Sequence, residues 1–342
     1  MLSYKKNEEL KKTLYILYCA ILALAVSACS KEEQGDSNEL PYITFGVSGI
    51  NIDTKALITN DDLTSNSHPI VYVYGVKNNT TNIFDGTEIY KEGNSNNWNT
   101  YTKKKWELGQ SYSFHGFTHS PQTPTNGASF SMESSGLEIS VSQPDDYDEA
   151  NMVDYLLSHA YKVADVSNYR TVMLYMQHAM SWIEIVVQKE MPEHTIALNS
   201  INLSNIFRSA TMKCEFQGIA NSGDKNVWAV QLSGTNNQTY TKTKPSFTPP
   251  GENHLGSMRI LAIPQQLTNA TTLAVNYTVT EPESGAKTYE QKFNLLDYTP
   301  YVWESGHKII YTLTINTGVQ LKGEICEWKD GGYTEGVIIP KN

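Results

Sequence analysis

Short runs in which apolar and polar residues alternate recur along the chain, and turn residues separate them. "VYVYGVK" puts Val71 and Val73 on one side and Tyr72, Tyr74 and Val76 on the other. "LAVNYTVT" sets Leu273, Val275, Tyr277 and Val279 against Ala274, Asn276 and Thr278. "HKIIYTLTINT" does the same with Ile309, Tyr311, Leu313 and Ile315 against Lys308, Thr312, Thr314 and Asn316. A period of two with one dry and one wet side predicts half-buried antiparallel strands. The longest such segment, "VMLYMQHAMSWIEIVV" (172–187), changes the side of its bulky residues near Ala179 and Ser181, which predicts a bulge or a strand bending between sheets. Asn-, Pro- and Gly-rich pieces such as "NSNNWNT", "SPQTPTNG" and "KPSFTPPGEN" read as connections.

One stretch carries a helical pattern instead. In "QPDDYDEANMVDYLLSHAYKV", Pro144 and the acids Asp145, Asp146, Asp148 and Glu149 suit a positive helix N-terminus, and Met152, Tyr155, Leu156 and His159 share a side at helical spacing. Read as a calcium loop, the acids lack the alternating ligand positions and closing Glu of an EF-hand. The helix precedes "KVADVSNYR" (162–170), where the likeliest domain boundary falls. The expectation is an all-β protein of two tandem sandwiches, 41–165 and 166–342, with one short helix near their junction.

The first 28 residues follow a different logic. Lys5, Lys6, Lys11 and Lys12 precede an apolar run from Leu14 to Val26, the layout of a signal peptide. That run is too short for a membrane-spanning helix, which takes roughly 20 residues. "LAVSAC" resembles a lipobox, with cleavage between Ala28 and Cys29 and acylation of the Cys29 thiol, palmitate among the expected chains. Residues 29–40, "CSKEEQGDSNEL", then form a solvated tether. Its Ser30-Lys31-Glu32-Glu33 looks like the export signal of surface lipoproteins in Bacteroidales.

Charge and composition narrow the function. The whole chain carries −10, and residues 1–28 hold four Lys and two Glu, so the 314 residues from Cys29 onward carry −12. No basic face invites nucleic acid. Tyr is frequent, at 21, in keeping with β-structure. Beyond Cys29 only Cys214 and Cys326 remain, either paired or as two buried thiols. His115 and His119 in "HGFTH", read as a metal pair, would stand roughly 13 Å apart on a strand at about 3.3 Å per residue; they read better as loop histidines. His178 reads as a packed residue with satisfied ring nitrogens. The six Trp (98, 106, 182, 228, 303 and 328) are core aromatics or a sugar platform, the former being commoner. HExxH, GxSxG, GxGxxG and P-loop motifs are absent, so no enzyme, cofactor or metal is expected.

In order, "YITFGVSGINIDTKA", "WELGQSYSFHGFTHSP", "MVDYLLSHA", "MQHAMSWIEIVV", "RILAIPQQ", "WESGHKIIYTLTI" and "ICEWKDG" resemble the fimbrillin family, subunits of the type V pili of Bacteroidales. The resemblance implies two transthyretin-like sandwiches and a surface lipoprotein on the outer membrane that assembles with other pilus subunits by donor-strand insertion. A trypsin-like protease would first remove the leading strand, of which Ile43, Phe45 and Val47 are one face. Lys55-Ala56 occupies the place where stalk subunits generally show Arg-Ala, so an Arg-specific enzyme would not cut here. The run Ile325 to Ile339, with Trp328, Val337 and Ile338, is the candidate donor. Adhesion to a host or bacterial surface glycan or protein is a further implied role. The alternative is a carbohydrate-binding lipoprotein of a glycan uptake system.

Overall fold

The computed structural model describes residues 40–49, 70–91, 97–120, 130–133, 136–158, 160–163, 171–191, 193–215, 228–234, 237–245, 253–281, 285–298, 302–316 and 319–327. Alternation of apolar side chains turns almost all of them into strands. The chain is all-β.

The first half builds one sheet of eight strands. In hydrogen-bonding order these are Val71–Lys77, Thr81–Lys91, Trp98–Thr100, Phe45–Gly49, Val172–His178, Asp154–Leu157, Ser111–Ser120 and Ala160–Val163. Val71–Lys77 also pairs antiparallel with Ser111–Ser120, from Tyr72 opposite Phe117 to Lys77 opposite Tyr112, so the pairings close into a ring. Closure leaves Ile43, Phe45, Val47, Val71, Val73, Phe84, Trp98, Trp106 and Phe114 buried.

The second half stacks Gln238–Thr243, Thr195–Ile206, Thr272–Glu281 and Gly285–Asn294 in one four-stranded sheet. A second holds His254–Ala262, Ser181–Lys189, His307–Ile315 and Val319–Glu327. Their facing apolar residues, among them Ile183, Ile185, Ile201, Leu203, Val275 and Tyr311, belong to one core cluster. A third four-stranded sheet joins the halves: Gly136–Ser142, flanked by Phe130–Glu133, pairs with Ser209–Glu215, which is flanked in turn by Trp228–Ser233. The large core cluster accordingly takes in Tyr74, Phe117, Tyr155 and Leu157 from the first half.

Three details differ from the sequence expectation, and a fourth decides between two alternatives it left open. The helix between Gln143 and Val163 is reduced to a single 3-10 turn, Glu149–Asn151, capped by the Asp148 side chain accepting from Ala150 N at 3.0 Å. Beyond it Asp154–Leu157 and Ala160–Val163 are strands. Every residue from Met152 to Ser158 is buried, so its apolar run has no wet side, and tertiary pairing decides between helix and strand. The Tyr74 and Val76 side of "VYVYGVK" is likewise dry, 3 % exposed at both, because Tyr74 packs into the large core cluster. His115 stands in a strand rather than a loop, fully buried, its Nδ1 3.1 Å from Ser158 O. His119 lies on the same strand with its ring 5.6 Å from Phe117. Finally, the change of side near Ala179 is a change of sheet. Val172–His178 pairs with the first strand in the ring, and after Ala179 and Met180 the chain enters the second half as Ser181–Lys189.

Candidate functional site

The first strand, Phe45–Gly49, occupies an unusual seat. It runs parallel to Val172–His178 over five register pairs, Phe45 opposite Val172 to Gly49 opposite Met176. On its other edge a single pair, Phe45 with Trp98, joins it to Trp98–Thr100. Val172 N donates to Thr44 O at 2.8 Å and Ile43 N to Lys104 O at 2.8 Å, extending the attachment toward the N-terminus. Among the described residues one edge is therefore laddered along the whole strand, while the other is held at Phe45 and, nearer the N-terminus, at Ile43 and Tyr42.

Alternation sends Ile43, Phe45 and Val47 inward, exposed by only 2 %, 0 % and 7 %. The Phe45 ring meets Phe84 and Phe114 edge-on, each at 5.6 Å between centroids, and Trp106 meets Phe114 at 6.0 Å. Room for this cluster comes from Gly75: a Cβ there would stand 2.9 Å from Phe84 Cδ2 and 3.0 Å from Phe114 Cδ1. Burying three such side chains contributes roughly 5–9 kcal/mol at about 1.5–3 kcal/mol each. Without them the ring would hold an open apolar slot beside an unpaired edge of Val172–His178.

A chain of charges links the halves. Glu184, inside the apolar strand Ser181–Lys189, accepts from Arg259 Nε at 2.9 Å and lies 2.8 Å from Lys308 Nζ. Burial alone would push its carboxyl up; the two cations outweigh that and hold it below the ordinary carboxylate range. Glu149 lies 3.4 Å from Lys242 Nζ and 3.7 Å from Arg259 Nη1. Arg208 donates to Pro144 O at 3.1 Å, to Asp145 O and to Gln238, and pairs with the Asp145 carboxylate at 3.0 Å. Tyr240 Oη also donates to Pro144 O, at 2.9 Å. Two of the acids read as a helix N-terminus, Asp145 and Glu149, thus meet cations of the second half. Where the chain changes sheet, the buried His178 Nδ1–H donates to the Asp154 carboxylate at 2.9–3.0 Å.

Ile43, Phe45 and Val47 thus meet in the ring interior. Ala28, Cys29, Lys55 and Ala56 lie outside the described residues, as do Trp328, Val337 and Ile338. Cys214 and Cys326 stand in different sheets. Trp98, Trp106, Trp182 and Trp303 are at most 5 % exposed, so these four form no sugar platform. Among the described residues no group of three His, Cys, Asp or Glu is placed to hold a metal, and no helix is long and apolar enough to cross a membrane. Sequence reasoning missed Asp154 and Glu184; the available signal was a lone acid within an apolar run.

A family model described as fimbrillin-like matches residues 54–328. Among solved structures, a fimbrial protein from Bacteroides vulgatus superimposes with a TM-score of 0.59 at 15 % identity, covering 84 % of this chain and 100 % of that one. A candidate cell adhesion protein from Bacteroides ovatus gives a TM-score of 0.50 at 14 % identity, over 86 % of this chain and 99 % of its own. At such identities the likeness is one of fold. No curated protein matches the chain in sequence.

Proposed function

Because the chain belongs to the fimbrillin-like family, whose model spans most of its length, we propose that it is a pilus subunit assembled by exchange of its first strand. Membership makes it a non-enzymatic structural protein of the cell surface or fimbrium, acting in pilus formation or adhesion with other subunits. The finer steps are our reading. Signal cleavage at Ala28 leaves Cys29 acylated and the chain tethered to the outer membrane through residues 29–40. The two halves serve as the family's paired domains, and the first carries the exchange slot.

The observation that supports this reading best is the seat of the first strand. Ile43, Phe45 and Val47 fill the ring, yet among the described residues five of the strand's six register pairs lie on one edge. The strand also lies at the start of the fold, so it can leave lengthwise without dismantling a hairpin. A cut after Lys55 would sever it from everything that follows. An extended segment of another subunit could then restore the ladder and refill the slot with alternate side chains. The candidate donor begins in the edge strand Val319–Glu327 and continues to Ile339.

The test incubates the purified precursor with a Lys-cleaving trypsin-like protease, sequences the new N-terminus and examines the product by electron microscopy. A product beginning at Ala56 that forms filaments is the expected result for a polymerising subunit. A chain that is cut there and stays monomeric, with the slot closed to added donor peptide, overturns strand exchange.

A further inference from the structure

Although the chain is acidic overall, with a net charge of −10, three lysines stand together at Lys103, Lys104 and Lys105. They occupy the connection between the strands Trp98–Thr100 and Ser111–Ser120. Lys105 bridges Tyr42 antiparallel, and Lys104 O accepts from Ile43 N at 2.8 Å, so the triplet lies against the point where the polypeptide enters the fold. The Tyr42 ring, 46 % exposed, has Lys103 Nζ at 5.5 Å and Lys105 Nζ at 5.4 Å from its centroid. Tyr101, 74 % exposed, stacks on Tyr90 with centroids 4.6 Å apart. Among the described residues, neither Lys103 nor Lys104 forms an ion pair.

We propose that this lysine and tyrosine face docks on a membrane surface bearing anionic headgroups and holds the protein base-down beside its own lipid anchor. The inference rests on the reading of Cys29 as the acylated residue. Two observations select this occupant. The first is charge: cations on an otherwise acidic body are attracted to an anionic surface, while tyrosines place an apolar ring and a polar tip at headgroup depth. The second is chain length. Residues 29–41 extend at most about 45 Å at roughly 3.5 Å per residue, so the face next to Tyr42 is held close to the bilayer. At such proximity a weak patch is enough, because the acyl chains already keep it near the surface. Cleavage after Lys55 would remove Tyr42 from the face. The docked molecule is therefore the uncut precursor, and cleavage would free the rest of the chain from this face before the slot is refilled.

The test uses the full chain carrying Cys29→Ser, which cannot be acylated. It is co-sedimented with phosphatidylcholine vesicles and with vesicles in which a quarter of the lipid is phosphatidylglycerol, at low and at half-molar salt. The leader before Cys29 carries four Lys and itself favours the anionic vesicles, so the contribution of the face is read from the variants below, which all keep that leader. We expect binding to the anionic vesicles at least tenfold tighter than to the neutral ones, abolished by the higher salt. The double variant Lys103→Gln/Lys104→Gln, both exposed positions, should lose most of that preference with its thermal midpoint unchanged, and Tyr101→Ala a few-fold. Equal binding to both vesicles, or an unaltered preference in the double variant, overturns the proposal. So does binding to soluble polygalacturonate without preference for anionic vesicles, which assigns the face to an acidic glycan. Acylation is read separately, from the mass of the native protein, and its absence sinks the underlying reading whatever the vesicles show.

Discussion

Phe45 is where sequence alternation, packing and the proposed exchange slot meet in one side chain. It is fully buried, between Phe84 and Phe114, and removing its ring leaves a cavity that the closed ring of strands cannot collapse around. Phe45→Ala should therefore lower stability by about 3–5 kcal/mol, measured by denaturant unfolding. Glu184 offers a test of a different kind. A carboxyl whose pKa is lower in the folded chain stabilises fully above its unfolded value of 4.5, and that contribution is lost as pH falls through the folded value. Thermal midpoints should show Glu184→Gln less stable than the native chain at neutral pH, with the gap narrowing in acid below about pH 4.5. Alternation along the first strand identifies the inward positions of Phe45 and its neighbours. The partners of Glu184 and Asp154 were not legible, because Arg259, Lys308 and His178 are brought to them by pairing between distant strands.

At the scale of elements, strand-forming alternation was readable wherever one side of the strand is wet, as in Thr272–Glu281. It was ambiguous where both sides are dry. "MVDYLL" carries apolar residues at spacings that satisfy a helix as well as a strand, and only its neighbours Ser111–Ser120 and Val172–His178 make it a strand. Of the acids before it, Asp148 caps only a 3-10 turn, while Asp145 and Glu149 meet cations of the second half. The first strand has its own prediction at this scale. Lys55→Arg should convert a chain that resists an Arg-specific protease at this position into one yielding a product that begins at Ala56, identified by N-terminal sequencing. An unchanged digestion pattern would show that the segment, rather than its residue type, blocks access.

Across the whole molecule, fold class followed from periodicity alone, since both halves are built from strands whose apolar positions recur every second residue. The closure of the ring and the third sheet that joins the halves were not legible. They depend on register between segments as far apart as Gly136–Ser142 and Ser209–Glu215, which no local pattern encodes. Arg208 is the residue most directly charged with holding this junction, through Pro144, Asp145 and the face of Tyr240 at 5.7 Å. Arg208→Ala should cost about 1–3 kcal/mol in chemical denaturation, and limited proteolysis should reach the Pro144 to Asn151 segment sooner.

The parallel arrangement of Phe45–Gly49 and Val172–His178 has a mechanical side. Traction on a membrane-held chain would enter at the leading end of the first strand and leave at the trailing end of its neighbour, which runs on through Ala179 and Met180 into the second half. Force applied at opposite ends of two parallel strands acts in shear, loading all five register pairs together instead of opening them one after another. A subunit built this way would grip hardest along the line of pull, while remaining free to release its leading segment if protease cut the connection behind it.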